Sequence, residues 1–507
     1  MKKIMSLTFM AILFAFLCCP PTALSGTEIK KSLVKIFTAM AEPDYFHPWN
    51  KSLPIQISGS GCIIEGERIL TNAHIVSNQT FVQVLRYGQS QKVRAKVIAV
   101  SHEVDLALLT VEDKSFFKGV EPLLLGGLPE TQDEVVVYGF PEGGESLSLT
   151  KGVISRIEHQ EYVHSGIDFL AIQIDAAINA GNSGGPVISN DKIIGVAMQS
   201  FTDAEGIGYI IPTPIIKHFI KDLEDGTYDG FPKGGIIVQS MENKDMRTRF
   251  GLKKNESGMF VISVVSGFPS EGKVFPGDII LSLDGHNIAS DGTVEFRPDE
   301  RTSWNYFVQS HQLGEKISFD ILRKEQRVKV QFALTKPLSD LHLIPQHRYD
   351  VSPTYYIYGG LVFSPLTTDY LEKYGDSLSD ENDLSILKFC ALAGLSLEFP
   401  SVKNEVPINL INVLSHDINN GYHDMKNIII TEVNDKKVYN LKELVKIVEN
   451  DSESKYVEFK TKQNKIIVLN KEKAENAKAE IMDIYSVPAD RSVDIVGFET
   501  SSLKTDK

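Results

Sequence analysis

The sequence predicts a mainly β protein of about three folded units. Its 507 residues exceed the ~150 residues of an ordinary domain about threefold. Short β-branched runs recur between turn signals over residues 30–225, the spacing of a β-sandwich or barrel. A breaker-rich stretch, Asp225-Gly-Thr-Tyr-Asp-Gly-Phe-Pro-Lys-Gly-Gly235, then separates this unit from mixed α+β sequence.

The β runs of the first unit are Ser32–Phe37, Gly61–Ile64, Phe81–Leu85, Val93–Val100, Leu106–Val111, Glu134–Tyr138, Leu147–Ile157, Leu170–Asp175, Pro186–Ile188 and Ile193–Gln199. Only Thr213–Asp225 has helical periodicity, with Ile215, Ile216, Phe219 and Leu223 on one face. A second unit follows over 235–337, with strands at Gly258–Val265, Ile279–Leu283, Lys316–Arg323 and Gln326–Leu334. From 354 to 470 the order strand, turn, helix, strand pair recurs: Asn427–Val433, Asn434-Asp435, Leu441–Glu449, Tyr456–Lys460 and Lys465–Leu469. That region reads as a diverged copy of the second unit. The tail from Lys471 starts as a charged helix and ends polar. The boundaries are therefore 26–228, 232–337, 350–475 and a tail of 476–507.

With 52 Lys and Arg against 66 Asp and Glu, the net charge is −14. Nucleic-acid phosphates call for a basic face, so no nucleic-acid partner is expected. Lys2 and Lys3 precede the apolar run Ile4–Cys19 and the small-residue stretch Thr22-Ala-Leu-Ser-Gly26. This has the form of a cleavable signal peptide over residues 1–25 and predicts export to a periplasm or the exterior. The run falls short of the ~20 residues that span a bilayer, which makes a membrane anchor the weaker reading. Cys62 and Cys390 remain after cleavage and read as two buried free thiols. His159 with His164, and His342 with His347, lack a metal-ligand framework and read as solvated loop residues, so no metal or cofactor is expected.

Three segments stand in the order His, Asp, Ser: Leu70-Thr-Asn-Ala-His74, Glu103-Val-Asp105-Leu-Ala-Leu-Leu109 and Asp175-Ala-Ala-Ile-Asn-Ala-Gly-Asn-Ser183-Gly-Gly-Pro-Val187. A serine hydroxyl needs an adjacent base, an imidazole titrates in the right range, and a buried carboxylate fixes its tautomer. Asp105 lies at the mouth of an apolar strand, a costly place for a carboxylate without a partner; His74 is that partner. Gly181 and Gly184 permit the tight turn that aims two amides at one oxyanion. The oxyanion hole is assigned to the N–H groups of Gly181 and Ser183.

These segments, with Gly59-Ser-Gly61, Gly139-Phe-Pro-Glu-Gly-Gly144, Gly208-Tyr-Ile-Ile-Pro212 and Tyr355-Tyr-Ile-Tyr358, resemble the Do-like, HtrA/Deg family of serine proteases. The likeness is to the plant-type branch, whose second PDZ domain is diverged. It implies a trypsin-like double six-stranded β-barrel followed by two PDZ-like domains. It also implies ATP-independent cleavage of unfolded or damaged polypeptides by homotrimers or multiples of trimers. By position, Ile178 and Phe201 would line an apolar specificity pocket. The loop Phe231-Pro-Lys233-Gly234-Gly235 would hold the C-terminal carboxylate of a peptide on the first PDZ domain. The second PDZ domain is assigned a structural role. A holdase or PDZ scaffold with little turnover, and a dedicated processing protease, are the alternatives.

Overall fold

The computed structural model describes residues 26–144, 146–162, 165–200, 207–345, 347–378 and 383–495. Twelve strands form two closed barrels of six. The first holds β1 (Leu33–Met40), β2 (Ile55–Ile64), β3 (Arg68–Thr71), β4 (Gln79–Arg86), β5 (Val93–Ser101) and β6 (Leu106–Val111), closed in the order β1-β2-β3-β6-β5-β4. The second holds β7 (Glu134–Gly139), β8 (Ser148–Tyr162), β9 (Ile167–Ile174), β10 (Pro186–Ser189), β11 (Lys192–Ser200) and β12 (Gly208–Pro212), closed in the order β10-β11-β12-β9-β8-β7. Val34, Ile36, Ile63, Ile69 and Leu109 fill the first barrel, and Leu170, Ile172, Val187, Val196 and Ile210 the second. Closure removes the free edges that such β-branched strands would otherwise expose.

Register decides what the first barrel presents. β3 and β6 are antiparallel neighbours with Thr71 opposite Ala107, so the turn after β3 and the turn before β6 emerge at one end. These turns carry His74 and Asp105. The helix Thr213–Asp222 buries Ile215, Ile216 and Phe219, and left-handed Gly226 (φ 91°) ends the turn that follows it.

The first PDZ-like unit is a sheet in which Ile236–Gln239, Met259–Val264, Ile279–Leu283, Lys316–Arg323 and Gln326–Ala333 pair in that order. Its short helix Asn305–Gln309 faces the second barrel: Gln309 Nε2 donates to Asp168 O at 2.8 Å. The second PDZ-like unit is larger than the sequence suggests. It adds strands Tyr356–Tyr358, Leu361–Pro365 and Ile408–Val413 and helices Thr368–Asp376 and Asp383–Ala393 to the predicted elements. Its last helix, Lys471–Ile484, buries Ala474, Ala477 and Ile481. Residues as far as Ser492, which bonds the backbone of Tyr355, belong to the fold. The boundary at 475 is thus corrected: a charged helix with only two alanines and one isoleucine facing inward has too faint an apolar stripe to read as core. Cys62 is buried as expected, but Cys390 is exposed.

Loop 41–52 of the first barrel packs against this C-terminal unit. Trp49 meets Tyr355 edge-on at 5.8 Å, Phe46 meets Tyr370 at 5.6 Å, and Glu42 pairs with Lys373 at 3.1 Å. The segment joining the two PDZ-like units is fastened to the same barrel. The Asn78 backbone N–H donates to the Asp350 carboxylate, the Asp350 N–H returns to Asn78 Oδ1 at 3.0 Å, and His102 Nε2 lies 2.9 Å from Asp350 Oδ2.

Candidate active site

His74 and Asp105 form a close pair. His74 Nδ1 lies 2.8 Å from Asp105 Oδ2 and 3.0 Å from Oδ1, and the His74 backbone N–H donates to Oδ1 at 2.9 Å. The Asp105 side chain is 1% exposed and that of His74 28%, so the carboxylate is sunk and the ring reaches the surface. Asp105 adopts φ +58°, a left-handed conformation that an aspartate tolerates better than most residues. Asn72 Nδ2 braces it by donating to Asp105 O at 2.9 Å.

Ser183 lies in the turn 181–185 between β9 and β10, and its Oγ is 3.5 Å from Met198 O. That turn is bolted to the first barrel. The Ser60 N–H donates to Ser183 O at 2.9 Å, Ser60 Oγ donates to Gly181 O at 2.7 Å, and Thr71 Oγ1 donates to Ser60 O at 2.7 Å. Ser60 Oγ also accepts the Phe140 N–H at 2.7 Å, which ties β7 to the same point. Thr71 stands three residues before His74, so this lattice sets the serine turn against the histidine turn. Gly181 (φ +91°) and Gly184 (φ +81°) are left-handed. The Asn182 N–H donates back to Asn179 O at 2.9 Å. Among the described residues, the Gly181 and Ser183 N–H groups on either side of it have no acceptor. Two free amides, one of them the serine's own, suit a developing oxyanion.

The other predicted site residues are placed differently. Ile178 is buried in the core of the second barrel, and a Cβ on Gly208 would fall 2.7 Å from its Cδ1. Phe201 and His164 lie outside the described residues. Phe231 is corrected: its ring stacks on His218 at 4.1 Å and its N–H donates to Glu103 Oε2 at 3.1 Å, so it belongs to the junction with the barrels. Lys233 Nζ donates to Asn305 Oδ1 at 3.0 Å, and burial lowers its pKa to about 8. The Gly234 and Gly235 N–H groups beside it have no acceptor among the described residues. The solvated histidines are corrected too. His159 Nδ1 lies 2.8 Å from Thr302 Oγ1, and His347 Nδ1 lies 2.9 Å from Asp369 Oδ1. His342 stacks on Phe399.

Sequence reasoning missed Ser60, Thr71, Tyr162 and Glu103. A cavity of about 320 Å³ beside His74 has Tyr45 and Glu42 on one side and His347, Tyr349 and Asp369 of the C-terminal half on the other. Glu103 accepts from the Phe231 N–H and from Tyr228 Oη, and it also bonds Ser339. It thereby joins the barrels to the segment entering and the turn leaving the first PDZ-like unit. Burial raises its carboxyl from 4.5 to about 7. The fold therefore favours the neutral form. Its stabilisation is complete below pH 4.5 and is lost as pH rises through about 7. Glu103→Gln is expected to remove that dependence. Denaturant titrations at pH 4.5 and pH 8 should show the variant gaining about 2 to 3 kcal/mol on the parent across the interval.

A mainly β double barrel that pairs a sunken aspartate with a histidine, and sets a glycine-flanked serine in a turn against them, defines the trypsin-type peptidases. The family profile for a trypsin-like peptidase domain matches residues 59–196, and one for a PDZ domain matches residues 344–494. Protease Do-like 4, mitochondrial, of Arabidopsis thaliana is 38% identical over 91% of this chain and 85% of its own. Protease Do-like 2, chloroplastic, of the same plant is 36% identical over 94% of this chain and 77% of its own. A serine protease DegP homolog of Plasmodium falciparum is 28% identical over 91% and 67%. A solved HtrA-type protease, an AlgW variant with decapeptide, shares the fold at a TM-score of 0.50 and 23% identity over 64% of this chain and 97% of its own. The chain belongs to the Do-like, HtrA/Deg family of serine proteases.

Proposed function

We propose that the protein is an endopeptidase that cleaves unfolded or damaged polypeptides, without ATP, through a His74-Asp105-Ser183 triad. The observation that carries this is the His74–Asp105 pair at 2.8 Å, with the Ser183 turn bonded to Ser60 of β2 and Ser60 in turn to Thr71 of β3. Ser183 Oγ attacks the scissile carbonyl as His74 Nε2 takes its proton. Asp105 holds Nδ1–H in place and stabilises the imidazolium. The N–H groups of Gly181 and Ser183 receive the oxyanion. The tetrahedral intermediate collapses to an acyl-enzyme as His74 returns the proton to the leaving amine, and water releases the acyl group by the same route.

The family pattern assigns Ile178, apolar and buried beside Gly208, to an apolar first subsite. Lys233 with the Gly234 and Gly235 amides supports carboxylate capture by a peptide C-terminus at the first PDZ-like unit. The second unit serves structure, consistent with its grip on loop 41–52. Assembly as trimers or their multiples follows from the family. Export follows from the leader alone, since the named plant relatives are mitochondrial or chloroplastic. No helix among the described residues is long and apolar enough to cross a membrane.

Casein digestion by the full chain against Ser183→Ala tests the reading. The variant is expected to lose about 10⁶-fold in kcat. Equal persistence of casein in both samples would remove catalysis and leave a binding protein.

A further inference from the structure

We propose that Tyr162 is a positioning residue for the triad, its hydroxyl donating to the Asp105 carboxylate and fixing the plane of the His74 ring. This rests on the peptidase reading above. Tyr162 closes β8 and is 2% exposed, with its ring edge-on to Phe169 at 6.4 Å. Its Oη lies 3.4 Å from His74 Nδ1, the nitrogen that faces both oxygens of Asp105, which places the hydroxyl next to that carboxylate. Burial, with the neighbouring carboxylate, pushes its ionisation far above the ordinary range, so the phenol remains a donor at any working pH.

An ionised carboxylate offers about four lone-pair sites, and a buried one left unfilled is costly. The His74 N–H and Nδ1–H fill two of them. Tyr162 fills another, from the opposite barrel. It is well held for the task. The Gly166 N–H donates to Tyr162 O at 2.8 Å, and Ser165 Oγ donates to Glu103 O at 3.0 Å, two residues before Asp105. The β8–β9 connection is thus sewn to the segment that carries the carboxylate. An aspartate at positive φ has to be restrained on several sides to stay there, and Tyr162 supplies the side that Asn72 and His74 leave open.

The titratable groups facing the phenol are Asp105 and His74 on the first barrel and Tyr349 on the segment between the PDZ-like units. Losing the donor leaves Asp105 more negative toward the ring. The imidazolium is then more stable, and the acidic limb of kcat/KM moves to higher pH.

Tyr162→Phe in the full chain keeps the ring and deletes the hydroxyl. We expect kcat to fall about 10- to 100-fold with KM changed less than about twofold. The acidic limb should rise, and the low-field proton resonance of His74 Nδ1–H should shift. A kcat within about twofold of the parent would overturn the proposal. So would a lowered melting temperature with kcat and KM degraded together and the proton resonance unmoved. Fluorophosphonate labelling of Ser183 in the parent separates the two levels. A labelled parent with an indifferent variant sinks only the role of Tyr162, whereas an unlabelled parent sinks the peptidase reading beneath it.

Discussion

Asp105→Asn is expected to lower kcat about 10⁴-fold while KM and the fold are kept. Asparagine has the same shape and also tolerates the left-handed backbone that this position adopts at φ +58°. The change therefore isolates the charge. Oδ1 accepts both the His74 N–H and, with Oδ2, the Nδ1–H. An amide presents one oxygen and one NH₂. If the oxygen stays with the backbone N–H, the NH₂ faces Nδ1 and forces the ring into the tautomer whose Nε2 carries the proton. That nitrogen can no longer accept from Ser183. Steady-state rates on a casein-derived peptide, with a melting curve beside them, check the result; a loss below about tenfold would mean that Asp105 only shapes the turn.

The second large effect is expected at Gly184. A Cβ there would stand 2.2 Å from Ser60 O and 2.3 Å from Thr71 Oγ1, and the residue holds φ +81°. Neither obstacle is a flexible chain end: one is backbone, and the other is a short side chain already bonded to that backbone. Gly184→Ala must therefore push the serine turn away from the first barrel or leave its left-handed conformation. The expected cost is at least about 3 kcal/mol of stability. A shift of the turn by even ~1 Å should lower kcat about 100-fold. Denaturant unfolding and fluorophosphonate labelling rates measure the two parts. A stable variant labelled at the parental rate would show that the turn has slack.

Some of this was legible in the sequence and some was not. The His74, Asp105 and Ser183 segments could be read because residue type, local glycine and apolar flanks all pointed to one chemistry. The barrels could be read because β-branched runs and turn residues alternate at strand spacing; the helix that follows them, at 213, carried a clear apolar face. Tyr162 was not legible, because a tyrosine ending a strand looks the same whether it faces solvent or a buried carboxylate 57 residues earlier in the chain. Ser60 and Thr71 hold the site through hydroxyl bonds that no periodicity records. Phe231 was assigned to the peptide loop by its neighbours in sequence, yet burial against His218 gave more than a solvent-facing loop could. Loop 41–52 gave no account of itself until its partners, some 300 residues later, stood beside it.

That last arrangement bears on how the enzyme is to be handled. A chain shortened to end near residue 340 would strip the cover from Phe46 and Trp49 and remove one wall of the hollow next to the imidazole. The trypsin-type half is therefore not a faithful miniature of the whole. Its rates and selectivity, taken alone, would report on an opened and stickier molecule.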